Sequence, residues 1–150
     1  MVKIKTAVNT NPTHHRMVRL LVSFLMATLI VTVYGPGVMA AGLETISPKE
    51  ANALIQNEKD SPDFVILDIR TPREFNTGHL EGAALIDFYS NDFLKKMQAL
   101  DKNKTYLIYC RSANRSTKAF SLVKDMGFKS LYNLNQGIIG WEQHGYAIIK

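Results

Sequence analysis

Thr105-Tyr-Leu-Ile-Tyr109 runs directly into Cys110-Arg-Ser-Ala-Asn-Arg115 and then Ser116. The first run is short, apolar and continuous, the pattern of a strand buried on both faces. The six residues after it are polar or small. Residues 116–126 then place Ala119, Phe120, Val123 and Met126 on one helical face, and Gly127 ends the helix. Strand, polar loop and amphipathic helix make half of a parallel-sheet unit. This one puts a sulfur at the carboxyl end of a buried strand, where such sheets bind ligands. A thiol there faces the N–H groups of the loop and the positive end of the helix dipole. Arg111 and Arg115 add two full charges. All of these favour thiolate over thiol, so the segment reads as a nucleophile that handles anions. An inert core cysteine is the bland alternative, and two arginines on a Ser/Asn loop argue against it.

Upstream, Phe64-Val-Ile-Leu-Asp-Ile69 is a second continuous apolar strand, ending at Asp68. Ser47-Pro-Lys-Glu50 and Thr71-Pro-Arg-Glu74 are capping boxes with proline at the first helical position. They predict helices to about Asn57 and up to Gly78. Ala83–Ile86 suits a short strand, and Asn91 or Asp92 caps a helix to about Leu100. Ser130–Leu134 is a last strand, and Gly137-Ile-Ile-Gly-Trp141 leads into a terminal helix. Strands alternating with helices imply an α/β fold with a parallel sheet and helices on both sides. The Asp68–Arg70 turn and Cys110 both occupy carboxyl ends of strands, which predicts one shared pocket.

The formal charge of +5 is misleading. Lys3, Lys5, Arg16 and Arg19 sit before residue 41, where no acidic residue occurs, so +1 remains for everything after Ala40. That balance gives no support to nucleic-acid binding. Residues 20–34 form an uncharged apolar run behind basic residues, followed by Gly35-Pro36-Gly37 and Val38-Met39-Ala40. This is the order of a secretory signal, with cleavage after Ala40 and residues 41–150 as the exported domain, periplasmic or secreted. An uncleaved anchor in the inner membrane, facing outward, is the alternative, and only then is a membrane a partner. A single cysteine excludes an internal disulfide and a paired-cysteine zinc or redox motif.

If the N–H groups of Arg111, Ser112, Ala113, Asn114 and Arg115 curl toward the Cys110 sulfur, they form an anion cradle. Such a cradle suits attack on a sulfane sulfur, leaving a persulfide. It also suits attack on a phosphoryl group, which needs a wider loop and an arginine fork. Cys110-Arg-Ser-Ala-Asn-Arg-Ser116 closely resembles the active-site loop of rhodanese sulfurtransferases. Asp68-Ile-Arg70, Glu74-Phe75 and Gly78-His-Leu-Glu-Gly-Ala83 resemble that family's upstream signature, and Gly140-Trp141 with Gly145-Tyr146 its C-terminal end. Three motifs in order, spanning about Thr45 to Ile148, make the match specific. With its leader, the chain is similar to the small exported rhodaneses of the phage-shock protein E type.

The resemblance implies a three-layer α/β/α domain around a mostly parallel sheet of about five strands. It implies that Cys110 takes sulfur from a small anionic donor such as thiosulfate and passes it to cyanide or a thiol, a protein thiol among the possibilities. It implies no metal and no organic cofactor. The related phosphatases carry a loop one residue longer and many have histidine before the cysteine. Here Arg115 is five after Cys110, and Tyr109 precedes it. Ala113 stands where many relatives have glycine, and Gln136 replaces the first glycine of a pair expected to form only a structural turn.

Arg111 is assigned to donor binding. Sulfur transfer to a thiolate needs no strong base, so Asp68, Arg70 and Glu74 read as ion pairs supporting the loop, with Arg115 paired to Asp68. His79 reads as a local hydrogen-bonding residue, and Trp141 as core. Two other functions remain open: a persulfide carrier or binding module without turnover, and a phosphatase or arsenate reductase.

Overall fold

The computed structural model describes residues 42–150. The apolar run 20–34, the proposed cleavage after Ala40, and His14 and His15 lie outside the described residues. In chain order the elements are β1 (Leu43–Ile46), α1 (Pro48–Glu58), β2 (Phe64–Asp68), α2 (Pro72–Asn76) and β3 (Ala84–Leu85). Then come α3 (Phe93–Ala99), β4 (Thr105–Tyr109), α4 (Asn114–Val123), β5 (Ser130–Leu134) and α5 (Gly137–Gln143). The strands form one sheet in the order β1-β5-β4-β2-β3, and every pairing is parallel. Among the described residues no helix is long and apolar enough to cross a membrane.

The apolar runs alternate between two cores. Leu67, Tyr106, Ile108, Cys110 and Leu131 pack with Met97 of α3 and with Ala119 and Val123 of α4. Ile66, Leu107, Tyr109, Tyr132 and Leu134 pack with Ala51 and Leu54 of α1 and with Ile138 and Trp141 of α5. Both faces of the sheet are covered, which is why its strands lack polar alternation. The result is the expected three-layer α/β/α arrangement.

Both capping boxes form. Ser47 and Glu50 exchange backbone-to-side-chain bonds at the start of α1, and Thr71 and Glu74 do so at the start of α2. The cap expected ahead of α3 does not form. Asp92 occupies that position without a side-chain cap bond. Its carboxylate instead accepts the Ser90 hydroxyl at 2.6 Å and pairs with Lys96 at 3.1 Å.

The helix after the cysteine starts earlier than its apolar periodicity predicts, at Asn114 rather than Ser116. The cause is Ala113, whose left-handed backbone (φ +69°) turns the chain into the helix two residues sooner. Alanine costs about 1 kcal/mol more than glycine in that conformation. Ser116 therefore lies inside the first turn, where its hydroxyl donates back to the Ala113 carbonyl at 3.2 Å.

Candidate active site

Sheet register brings the candidate residues together. Asp68 is level with Tyr109 across β2 and β4, and the ladder continues as Ile69 N–H donates to the Tyr109 carbonyl at 3.0 Å. Cys110 and Arg70 thus emerge from adjacent central strands at their carboxyl ends.

The Cys110 loop is held from its carbonyl side. Ile138 N–H donates to the Cys110 carbonyl at 2.9 Å, and Ile139 N–H to the Arg111 carbonyl at 3.2 Å. Among the described residues, no protein group accepts from the N–H groups of residues 111–116. Three of those belong to the first turn of α4, where helical geometry leaves them without intrahelical acceptors. The loop therefore offers unsatisfied donors beside the sulfur, together with the positive end of a ten-residue helix. Cys110 itself is 1% exposed. Cys110 packs in the core cluster with Ala119 and Val123 of α4, while Arg111, Ser112 and Asn114 of the loop are exposed. Arg111 forms no salt bridge among the described residues.

The turn carrying Gln136, expected from sequence to be only structural, is the buttress of this loop. Gln136 takes a left-handed conformation (φ +63°) and caps α5. Gly137 behind it (φ +60°) passes so close to the loop that a Cβ there would lie 2.4 Å from the Cys110 carbonyl oxygen.

Asp68 does not pair with Arg115. Arg70, two residues along the same turn, closes on that carboxylate instead: its backbone N–H donates at 2.8 Å, Nε at 2.9 and 3.0 Å, and Nη2 at 2.6 Å. Nη2 also donates to the Gly78 carbonyl at 2.6 Å. Both side chains are buried, so this pair fixes the segment after α2 rather than the cysteine loop. Tyr109, noted from sequence only as the residue before the cysteine, completes the arrangement. Its hydroxyl accepts from Leu80 N–H at 3.1 Å. Burial, then the neighbouring Asp68 charge, holds that phenol protonated well above the usual range. Alternation along β4 was the available signal, since it sends Tyr109 to the face opposite Cys110.

Arg115 pairs with Glu74. Nη1 donates to Oε2 at 2.7 Å and Nη2 to Oε1 at 2.6 Å, a bidentate fork between α4 and α2. Glu74 is also the capping glutamate of α2, with Oε2 accepting from Thr71 N–H at 3.1 Å and the Thr71 hydroxyl at 2.9 Å. The Arg115 hydrogen bonds, followed by those from Thr71, pull the Glu74 carboxyl from 4.5 down to about 2 against the opposing effect of burial. A group so depressed stays ionised and serves neither as general acid nor as general base near neutrality. Its folded-state value is lowered, so its stabilisation is complete above about pH 5 and disappears as pH falls toward 2. We expect urea denaturation to show wild type about 2 kcal/mol more stable than Glu74→Gln at pH 7. That gap should close between pH 5 and pH 2. A gap that is constant with pH removes the pair from the stability of the fold.

Arg115 in turn holds its proton above the ordinary range. Hydrogen bonds to Glu74 are the main cause; burial opposes them, and the charges of Glu74, Cys110 and Tyr89 add to them. Arg115 stands in the first turn of α4, directly after the Cys110 loop. Its guanidinium carbon also sits 5.6 Å from the Tyr89 ring centre.

Two clefts lie elsewhere. One of about 460 Å³ and one of about 160 Å³ run along α1, sharing Ile55, Gln56 and Glu81, and neither is lined by the Cys110 loop. His79 makes the expected local bond, Nδ1 to the Phe75 carbonyl at 3.1 Å, and Trp141 is buried in the α1/α5 core.

Residues 47–144 match the model of the rhodanese-like domain. A protein of Allochromatium vinosum named sulfurtransferase is 32% identical over 100 residues, covering 67% of this chain and 92% of that protein. The tRNA uridine(34) hydroxylase of Cytophaga hutchinsonii is 36% identical over 105 residues, and there the match covers 67% of this chain but only 32% of the enzyme. Among solved structures, a rhodanese-related protein of Thermoplasma volcanium superposes with a TM-score of 0.59 at 23% identity, over 71% of this chain and 97% of that one.

Proposed function

The chain belongs to the rhodanese-like family, and from that premise we propose that it moves a sulfane sulfur through a persulfide on Cys110. The donor is an anion such as thiosulfate, and the acceptor is cyanide or a thiol. The domain of residues 41–150 is the working unit, exported by the segment before it.

The observation that carries this reading is the row of free N–H groups over residues 111–116, at the start of α4 and next to Cys110. In the first half-cycle the Cys110 thiolate attacks the outer sulfur of thiosulfate, the S–S bond of the donor breaks, and sulfite leaves with the electron pair. The new persulfide is anionic, and the same amides stabilise it. In the second half-cycle cyanide attacks the outer sulfur, thiocyanate leaves, and Cys110 returns as thiolate. Arg111, exposed and without a carboxylate partner, supplies a counter-charge to the arriving donor. Ser112, Ala113, Asn114 and Arg115 contribute main-chain donors. Glu74 supports the loop through its pair with Arg115, and Asp68 with Arg70 holds the segment after α2. Cys110 is buried, so a donor has to displace part of what surrounds it to reach the sulfur.

Phosphoryl transfer is less well served. It needs an arginine fork open toward the phosphoryl oxygens, and both terminal nitrogens of Arg115 are already bound to Glu74.

Incubation with thiosulfate is expected to add one sulfur atom to the intact protein, mapped to Cys110 by peptide mass spectrometry. Added cyanide should remove it as thiocyanate, repeatedly. A sulfur that is accepted and then discharged once, with no further turnover, selects the carrier function. No added sulfur at all refutes the proposal.

A further inference from the structure

We propose that the ring of Tyr89 selects the acceptor, by giving a thiol carried on an apolar or aromatic body a surface to lie on beside the Cys110 loop. This inference rests on the transfer reading above.

Tyr89 is 66% exposed, the most exposed of the large apolar side chains among the described residues. A single exposed ring is ordinary on a protein surface. This one is held by a built loop. Ile86 N–H donates to the Asp68 carbonyl at 2.9 Å and Phe88 N–H to the Ile69 carbonyl at 3.2 Å, so the segment is tied to the carboxyl end of β2. Tyr89 N–H donates to Asp87 Oδ1 at 2.9 Å, and Ser90 N–H to the Asp87 carbonyl at 3.1 Å. Phe88 turns inward and meets Phe93 edge-on at 5.2 Å, which leaves Tyr89 facing solvent. The Tyr89 ring lies 5.6 Å from the Arg115 guanidinium carbon. Arg115 lies in the first turn of α4, directly after the Cys110 loop, and Phe88 packs against the core cluster that contains Cys110. Ring and cysteine loop therefore share the carboxyl end of the sheet, where both half-reactions take place.

The two kinds of acceptor use this wall differently. Cyanide has no body to rest on a ring. An organic thiol has one, and a rigid aromatic gives it contact area at small entropic cost. The step that discriminates is the second. The acceptor thiolate attacks the outer sulfur of the Cys110 persulfide, the persulfide S–S bond breaks, Cys110 leaves as thiolate, and the acceptor departs as its own persulfide. No oxidant or reductant is consumed.

The test charges Cys110 with thiosulfate and measures kcat/KM for discharge to benzyl mercaptan and to cyanide. Tyr89→Ala is expected to lower the thiol-to-cyanide ratio about tenfold, through the KM for the thiol rather than through kcat. Tyr89→Phe, which keeps the ring, should hold the ratio within about twofold of wild type. An unchanged ratio in Tyr89→Ala overturns the inference, as does a loss in Tyr89→Phe equal to that in Tyr89→Ala. Wild-type protein that takes no sulfur overturns the transfer reading and this one together. Wild type that charges and discharges normally, with a ratio indifferent to residue 89, overturns this one alone.

Discussion

Gly137→Ala is expected to destabilise the domain by about 4 kcal/mol and to disable the cysteine loop with it. Two costs add. The backbone at Gly137 is left-handed, a conformation in which alanine costs about 1 kcal/mol more than glycine. The new Cβ would also lie 2.4 Å from the Cys110 carbonyl oxygen and 2.7 Å from the Arg111 carbonyl carbon and oxygen. All three are backbone atoms, so no side-chain rotation relieves the overlap. Relief requires α5 to move off the loop, which breaks the bonds from Ile138 and Ile139 to the Cys110 and Arg111 carbonyls. Gly82→Ala separates the two costs, because Gly82 is also left-handed (φ +74°) but has open space where the Cβ would go. Urea denaturation should place Gly82→Ala about 1 kcal/mol below wild type and Gly137→Ala several times further. Equal losses would mean that the contact between the turn and the loop contributes nothing.

That contact shows where reading the sequence stops. β2 and β4 are legible because both sheet faces are covered, so they stand out as unbroken apolar runs, whereas β1, Leu43-Glu-Thr-Ile46, has two polar residues in four and is not read as a strand from sequence. The helix starts at Pro48 and Pro72 are legible because a capping box is a local device, complete within four residues. The role of Gln136 and Gly137 is not local. It depends on α5 docking against a loop 27 positions earlier, which no pattern around residue 136 encodes. The salt bridges divide in the same way. Charges at strand ends are visible as letters, but their pairing depends on direction. Asp68 is claimed by the arginine nearest in the chain, and Arg115 turns to a glutamate whose capping motif had already accounted for it. Ala113 is an intermediate case: the resemblance marked it as a glycine position, and the backbone there is left-handed as that implies.

Arg115→Ala is expected to slow sulfur uptake by Cys110 about a hundredfold at pH 7. Loss of one unit charge near an anionic sulfur is worth on the order of 1–3 kcal/mol at an effective dielectric constant of about 20, and the upper end of that range corresponds to the factor. The substitution removes the cation in the first turn of α4, directly after the Cys110 loop, and leaves the Glu74 carboxylate unpaired in its place. Both changes disfavour a thiolate and a bound dianion. The fold loses the fork between α2 and α4 as well, about 2 kcal/mol for a pair partly open to solvent. Adding Glu74→Gln removes the stranded charge, so the double variant should take up sulfur faster than Arg115→Ala alone, though slower than wild type. A double-mutant cycle in urea should return a coupling of about 1–2 kcal/mol. Arg115→Lys keeps the charge but not the fork, and should fall between wild type and Arg115→Ala. Sulfur uptake at the wild-type rate in Arg115→Ala would show that the main-chain donors of residues 111–116 suffice by themselves, and that the fork serves stability alone.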